Sequence, residues 1–242
     1  MSSMTDSHLV PPHGELRLVE DVPQAFTDLV EELALGCAGE PPDPPGSARV
    51  GIALSGGETA RACYERLAES TRVPWPQIDC YLGDERCVPP DDRDANQKMI
   101  REALLEHVAV GTFHPMECDR AEEYGSLIER AGPLQLIHLG LGPDGHTASL
   151  FPGSAALNAP SGKLVAHNLD PSGRNPHERL TLTFEAINRA RLAVFTVSGA
   201  SKHDALLRVL TGEDLPASRV RAERVVWLCD SDALGEGLDR VQ

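Results

Sequence analysis

The segment from residue 140 to residue 152 carries the strongest chemical signal in the sequence, because a dense glycine pattern there holds Asp144 and His146 two residues apart. It follows the apolar run of residues 134–139, so we expect it to leave a buried strand as a tight loop. A histidine in such a loop is a candidate for proton transfer, since its pKa lies near neutrality. Asp144 is close enough to converge on the same pocket. His138 lies inside the apolar run, and we interpret it as a structural histidine.

A second segment has the composition of a phosphate-binding turn. It joins the apolar run of residues 50–54 to a segment with helical spacing at residues 59–68. Paired glycines let the backbone turn with its N–H groups exposed, and the N-terminus of a helix adds partial positive charge. The alternative is an ordinary glycine turn capped by a threonine. The candidate anion-binding residues in this segment are Ser55, Gly56, Gly57 and Thr59.

Three cationic side chains lie near the ends of other predicted strands and could bind an anion. Arg86 follows Asp84 and Glu85, where it could act as a fork donor to a phosphate while Asp84 or Glu85 orients it or binds a hydroxyl. Arg179 opens a strand-like segment. Lys202 begins a helix, where a cation opposes the helix dipole, and this favours a functional role. The alternative for each is a surface ion pair or an exposed cation, which contributes little to stability.

The spacing of the histidines, cysteines, serines and glycines argues against a metal site, a nucleophilic serine and a dinucleotide-binding site. The nine histidines and six cysteines form no H-E-x-x-H, H-x-x-x-H or C-x-x-C pattern, so no metal site is predicted. Ser55 does not lie in the G-x-S-x-G of a nucleophile elbow. The glycines do not match the dinucleotide fingerprint G-x-G-x-x-G. Because the cysteines are scattered, we expect reduced and mostly buried thiols.

The elements around these residues alternate between strands and helices. Short apolar runs predict buried strands, and segments with helical spacing lie between them, which indicates a doubly wound, mostly parallel α/β sheet with helices on both faces. Alternation within residues 163–184 predicts a small antiparallel addition. In such a sheet, ligands bind beyond the carboxyl ends of the strands. The predicted strands are residues 15–20, 50–54, 78–82, 134–139, 192–197 and 225–229, and the predicted helices are residues 22–35, 59–68, 96–108, 120–130 and 202–210.

Length and charge narrow the function further. The 242 residues allow a flexible leader at residues 1–14 and one catalytic α/β domain at residues 15–242. A net charge of −15 argues against nucleic acid and anionic membranes as partners, but a pocket with a few cations could still bind a small anion. No apolar run approaches the ~18–20 residues of a membrane helix, and no signal peptide is recognised. We therefore expect a cytoplasmic protein that is a monomer or a weak homo-oligomer.

Taken together, the segments resemble 6-phosphogluconolactonases, within the superfamily shared with glucosamine-6-phosphate isomerases. Five motifs occur in family order between about residues 54 and 207. The family patterns are L-S-G-G-S-T-P, which corresponds to L-S-G-G-E-T-A at residues 54–60 here, G-D-E-R-x-V-P at 83–89, G-x-G-x-D-G-H-T-A-S-L-F-P at 140–152, P-x-x-R-x-T-L-T at 176–183 and G-x-x-K at 199–202.

The resemblance implies an activity and a set of roles. The expected reaction is hydrolysis of 6-phospho-D-glucono-1,5-lactone to 6-phosphogluconate, a step of the oxidative pentose phosphate pathway that needs no metal and no cofactor. His146 matches the proton-transfer histidine, with Asp144 beside it in the same motif. The positions that match phosphate- or substrate-contacting residues are Gly56, Gly57, Arg86, Arg179 and Lys202.

Three positions decide between related functions. Glu58 and Ala60 replace the usual serine and proline, and a carboxylate at residue 58 must point away from a phosphate or pair with an arginine. Phe151 stands where the isomerases carry a glutamate that assists ring opening, and this favours the lactonase. The alternatives are a non-catalytic sugar-phosphate sensor, which Glu58 favours, and an isomerase, which Phe151 disfavours.

Overall fold

The computed structural model describes residues 11–37 and 50–235, and two sheets lie within them. The larger sheet has seven strands, which pair in parallel in the order β1-β10-β9-β6-β2-β3-β5. Its strands are β1 (Glu15–Leu18), β2 (Val50–Leu54), β3 (Ile78–Leu82), β5 (Thr112–Phe113), β6 (Leu136–Leu139), β9 (Leu192–Val197) and β10 (Arg224–Cys229). The mostly parallel α/β sheet predicted from the sequence is confirmed.

A smaller antiparallel sheet has the order β4-β8-β7. Its strands are β4 (Asp84–Arg86), β7 (Val165–Asn168) and β8 (Arg179–Leu182). Strands β7 and β8 lie within the region where alternation predicted an antiparallel addition, so that prediction is also confirmed. Strand β4 was not predicted, because its three charged residues were interpreted as part of a turn. Its pairing with β8 joins segments almost a hundred residues apart along the chain.

The helices of the described residues lie in the connections between strands, except α7, which follows the last strand. They are α1 (Val22–Cys37), α2 (Glu58–Ala68), α3 (Asn96–Ile100), α4 (Ala121–Ala131), α5 (Phe184–Asn188), α6 (His203–Leu210) and α7 (Ser231–Leu234). The helix predicted at residues 96–108 is shorter, since α3 continues as a π-helical segment at Arg101–Leu105 and then ends. Apolar spacing alone does not distinguish the α and π forms. No helix in the described ranges is long and apolar enough to cross a membrane.

The core lies along the central strands of the larger sheet. Every residue of β2, β6 and β9 is buried, which explains why these strands are apolar at successive positions rather than alternating. Phe195 stacks on Trp227 of the neighbouring strand with ring centroids 3.8 Å apart. The Nε1–H of Trp227 in turn donates to the carbonyl of His13. Residues 1–10 of the predicted leader lie outside the described residues.

The strand order changes direction between β2 and β6. From β2 the chain moves outward through β3 to β5, and from β6 it moves the other way through β9 to β10. At such a switch point the two connections leave in opposite directions and open a crevice beyond the carboxyl ends of the strands. The glycine loops after β2 and β6 therefore lie side by side at this crevice.

One expectation about the cysteines is wrong. Cys87 and Cys118 form a disulfide with their Cα atoms 5.5 Å apart. Cys87 follows β4, and Cys118 lies in the turn before α4, so the fold brings together two residues that are 31 positions apart with no motif between them. Cys63, Cys80 and Cys229 are free and buried, as expected.

Candidate active site

A cavity of about 440 Å³ opens beyond the carboxyl ends of β2, β3, β6 and β9. The structure brings nine of the ten predicted site residues to its walls. The tenth, Asp144, lies behind His146 and contacts its ring. The nine on the walls are Ser55, Gly56, Gly57, Thr59, Asp84, Arg86, His146, Arg179 and Lys202.

His146 and Asp144 form a close pair in the loop after β6. The Nδ1 atom of His146 lies 2.5 Å from Oδ1 of Asp144, which also accepts the backbone N–H of His146 at 3.1 Å. Burial raises the pKa of Asp144, but these hydrogen bonds and the nearby imidazole outweigh it and leave that pKa below the usual value. An ionised carboxylate can only accept, so in a neutral imidazole this contact places the ring proton on Nδ1. The Nε2 atom then keeps its lone pair, as a general base requires.

The loop around His146 is shaped by close packing. The hydrogen that a side chain would replace at Gly142 points at the imidazole, so any Cβ there would overlap the ring. The backbone N–H of Gly142 donates to the carbonyl of His146 at 2.9 Å and closes the loop. On another side, the buried ring of Phe151 lies 4.8 Å from the imidazole, measured between centroids. His146 is therefore fixed against an apolar wall and has no carboxylate partner at residue 151.

The glycine turn after β2 ends at the first residue of α2. Gly57 adopts φ 105°, which disfavours any residue with a side chain, and it is the N-cap of the helix. At the other end of the turn, the backbone N–H of Ser55 donates to the Tyr64 hydroxyl at 2.7 Å. That hydroxyl also lies 2.8 Å from Nδ1 of His138, which is fully buried. Burial lowers the pKa of His138 to about 3, so the ring is neutral and structural, as predicted.

The small antiparallel sheet places two arginines directly opposite each other. Arg86 of β4 pairs in register with Arg179 of β8. Like charges in this arrangement repel, so the arrangement favours a bound anion between them. Burial lowers the pKa of Arg179, the Asp84 carboxylate opposes that shift, and the charge of Arg86 adds to it. The pairing thus places two guanidinium groups and the Asp84 carboxylate together at the cavity.

Two residues that sequence analysis did not select hold this wall together. Asn96 is buried, donates to the Asp84 carbonyl at 2.8 Å and accepts a hydrogen bond from the Arg86 guanidinium. Ser149 donates to the Asp84 carboxylate at 2.6 Å. No motif marks Asn96, whereas Ser149 belongs to the same glycine-rich motif as His146. A search for polar residues in the loops that follow predicted strands would have found Ser149 but not Asn96.

Glu85 supports this wall through hydrogen bonds to the backbone. Its buried carboxylate accepts the backbone N–H groups of Arg86, Asn96 and Gln97 at 2.7–2.8 Å. Burial raises the pKa of Glu85, while the three hydrogen bonds oppose that shift. The carboxylate therefore fixes the segment that carries Arg86 and Asn96.

Lys202 reaches the cavity from the loop after β9. Its Nζ donates to the carbonyl of Leu141 at 2.8 Å, and burial lowers its pKa. The loop is anchored by Asp230, which accepts bonds from the Ser198 hydroxyl and from the backbone N–H of Gly199. Lys202 lies in a 3₁₀ turn just before α6 rather than at the start of that helix. Lys202 thus comes from a loop of the larger sheet, whereas the arginine pair belongs to the smaller sheet.

Glu58 lies at the rim of the cavity as the first residue of α2, with an exposed side chain. The N-terminus of a helix is a favourable place for a carboxylate. The same charge at the rim is unfavourable for an incoming anion.

Comparison with known proteins identifies a family whose matched region includes all the loops that line the cavity. The family model described as glucosamine-6-phosphate isomerases/6-phosphogluconolactonase matches residues 28–227. The chain belongs to this family. The expectation drawn from the five motifs, that the chain is an enzyme of this family, is thereby confirmed.

Individual members of the family are similar over most of their length. A 6-phosphogluconolactonase from Synechocystis is 39% identical over 208 residues, which cover 77% of this chain and 84% of that protein. One from Mycobacterium tuberculosis is 35% identical over 206 residues, which cover 75% and 83%. The crystal structure of 6-phosphogluconolactonase from Thermotoga maritima superposes with a TM-score of 0.72 at 30% identity, covering 89% of this chain and 99% of that one.

Proposed function

We propose that the chain hydrolyses 6-phospho-D-glucono-1,5-lactone to 6-phospho-D-gluconate in the oxidative pentose phosphate pathway. The observation that carries this proposal is one cavity with a histidine–aspartate pair on one wall and an opposed arginine pair on another. The histidine–aspartate pair can remove a proton from water, and the arginine pair can bind a phosphate through its positive charge. The relatives named as 6-phosphogluconolactonases support this choice of substrate.

Phosphate binding comes first in the proposed mechanism. Arg86, Arg179 and Lys202 contact the phosphate, and the N–H groups of Gly56 and Gly57 add donors at the N-terminus of α2. Binding energy from this remote group orients the lactone and places its C1 atom near His146. Ser55, Thr59 and Asp84 line the same space and are available to sugar hydroxyls or the phosphate.

The chemical step needs one proton acceptor and one proton donor. Nε2 of neutral His146 takes a proton from water as the water oxygen bonds to C1, and Asp144 stabilises the resulting imidazolium. The tetrahedral intermediate then collapses, the bond between C1 and the ring oxygen breaks, and the imidazolium protonates that oxygen. The new carboxylic acid releases its own proton to solvent. His146 is neutral again at the end of the cycle.

Phe151 supports hydrolysis over isomerisation. A carboxylate would be needed beside the histidine to assist ring opening, but the residue packed on the His146 ring is an aromatic hydrocarbon that cannot transfer a proton. Glu58 at the rim is what favours a non-catalytic sugar-phosphate sensor as the second candidate. The orientation of His146 by Asp144 favours an enzyme, because a protein that only binds a sugar phosphate does not need a general base.

A coupled assay separates these two candidates. The lactone is generated freshly, the chain and 6-phosphogluconate dehydrogenase are added, and NADPH formation is followed. We expect formation clearly faster than spontaneous hydrolysis allows. Stoichiometric binding of 6-phosphogluconate without acceleration would favour the sensor.

We further propose that residues 15–242 act as one catalytic domain, because the cavity draws its walls from segments that follow four different strands of the same sheet. The cytoplasmic location and the monomeric or weakly oligomeric state stay predictions.

Replacing Lys202 with alanine should raise KM for the phosphorylated lactone roughly tenfold, with kcat much less affected, because one charged donor to the phosphate is lost. The comparison is with unphosphorylated glucono-1,5-lactone, for which the variant and the original chain should behave alike. Lys163→Ala removes an exposed lysine and serves as the matched control. An equal loss on both lactones would contradict a phosphate contact.

A further inference from the structure

The small antiparallel sheet has a second polar cluster on the face turned away from the cavity. Successive residues of a strand point to opposite faces, so Arg86 and its partner Arg179 share one face while Cys87 and Glu178 share the other. The backbone N–H of Cys87 donates to the Glu178 carbonyl at 2.8 Å, which places these two residues side by side. His167 joins them from β7, where it pairs with Leu180.

The side chains of this cluster meet at one point. One potential ligand atom from each of Cys87, His167 and Glu178 lies within 4.8 Å of the other two. Nδ1 of His167 is 3.0 Å from Oε1 of Glu178. Cys118 is at the same place, since its sulfur is bonded to that of Cys87. Two sulfurs, an imidazole and a carboxylate from four separate parts of the chain therefore surround one small volume.

We propose that Cys87, Cys118, His167 and Glu178 bind a Zn²⁺ ion when the two cysteines are reduced. Zinc prefers four ligands in a tetrahedron drawn from thiolate, imidazole and carboxylate. Bond lengths of about 2.0–2.3 Å put neighbouring ligand atoms roughly 3.3–3.8 Å apart, so the cluster needs only small side-chain movements to reach that geometry. Motif spacing could not predict such a site, because the four ligands are spread over more than ninety residues.

The proposed site exists in one redox state only. A dithiol reductant gives two electrons and two protons to the Cys87–Cys118 bond, which breaks to leave two thiols, while the reductant forms its own disulfide. Zinc then binds as both thiols release their protons to solvent. In the oxidised chain the sulfurs bond to each other, and only His167 and Glu178 remain as ligands.

The cluster is open to ions from solution. Cys118 and His167 line a surface cleft of about 840 Å³, and the side chains of His167 and Glu178 are 46% and 53% exposed. An exposed His–Glu pair alone would be an ordinary surface ion pair, and a cysteine pair alone would be an ordinary disulfide. Their coincidence at one accessible point is what favours a metal site.

Cobalt provides the direct test, since it reports both thiolate ligation and coordination number. The full chain is reduced, freed of reductant without oxygen, and titrated with Co²⁺. We expect one equivalent to produce a thiolate-to-cobalt charge-transfer band and the strong visible bands of a four-coordinate ion, and Zn²⁺ to displace it. The same titration of the oxidised chain should give no such bands.

Variants locate the ion. Cys118→Ser and His167→Ala should each weaken Zn²⁺ binding about hundredfold or more in competition with a chelator, since even outer-sphere partners contribute 10–100-fold. His107→Ala, which removes an exposed histidine elsewhere, should have no effect. A His146→Ala chain should keep the thiolate band, because any ion held by the His146–Asp144 pair would lack sulfur ligands.

Two results would overturn the proposal. One is a reduced chain that gives no thiolate–cobalt band. The other is a band whose affinity is unchanged in Cys87→Ser or in His167→Ala, which would place the ion at other cysteines. His167→Ala and Glu178→Gln change exposed side chains, so they decide the matter even if a cysteine variant fails to fold.

Discussion

Replacing His146 with glutamine should lower kcat for the phosphorylated lactone by about 10²–10⁴-fold, while KM changes only about twofold. Glutamine fills a similar volume against Phe151 but cannot accept a proton from water near neutral pH. The phosphate contacts are on other walls of the cavity, so substrate binding should persist. Coupled kinetics with freshly prepared lactone measure both constants.

The matched control is His107→Gln, which alters an exposed histidine that contacts only the carbonyl of Glu102 among the bonds described for its ring. Circular dichroism and thermal melting of both variants show whether the fold is intact. A His146→Gln chain that is folded and keeps its kcat would exclude His146 as the base. The same assay applied to Asp144→Asn tests orientation, since a loss in kcat alone indicates that Asp144 holds the ring, whereas a rise in KM indicates a contact with substrate.

The convergence at the cavity could be predicted because it follows from topology. Short apolar runs fixed the bounds of β2, β3 and β9, and the glycine segments directly after β2 and β6 were then expected at the carboxyl edge of the sheet. The convergence of Asp144 and His146 on one pocket was expected from their spacing of two residues. These inferences depend on neighbours in sequence and on one general property of parallel sheets.

What could not be predicted depends on contacts between distant segments. Strand β4 has three charged residues, and it becomes a strand only because β8 pairs with it. Asn96 contributes to the site through hydrogen bonds to Asp84 and Arg86 that no pattern within its own segment indicates. The Cys87–Cys118 bond is of the same kind, since it joins a strand end to a turn before a helix. Each of these features depends on contacts that the β4 segment makes with other segments, and local patterns do not give such contacts.

The register of β4 against β8 places Arg179 opposite Arg86, and the second large predicted effect concerns Arg179. Replacing Arg179 with methionine should raise KM for the phosphorylated lactone roughly 10–100-fold, because a hydrogen bond to a charged group contributes about 1.5–3 kcal/mol. Methionine keeps much of the buried volume while it removes the charge and the fork of donors. The kinetics are measured on both the phosphorylated and the unphosphorylated lactone, and only the first should suffer.

Arg174→Met is the matched control, since that arginine is exposed in the loop before β8. Equal losses on both lactones in Arg179→Met would show that Arg179 acts on the sugar ring or on the fold and not on the phosphate.

Thermal melting with inorganic phosphate tests the same contact without any chemistry. The protein carries a net charge of −15, so long-range attraction does not draw phosphate to it, and any protection must come from a local site. Arg86 and Arg179 face each other across β4 and β8, where their like charges repel, although the attraction of Arg179 to the Asp84 carboxylate is the larger charge effect. A bound phosphate relieves that repulsion, and binding to the folded state alone raises Tm. We therefore expect millimolar phosphate to raise Tm of the original chain and of Arg174→Met but not that of Arg179→Met. Equal protection of all three would place the phosphate away from the arginine pair.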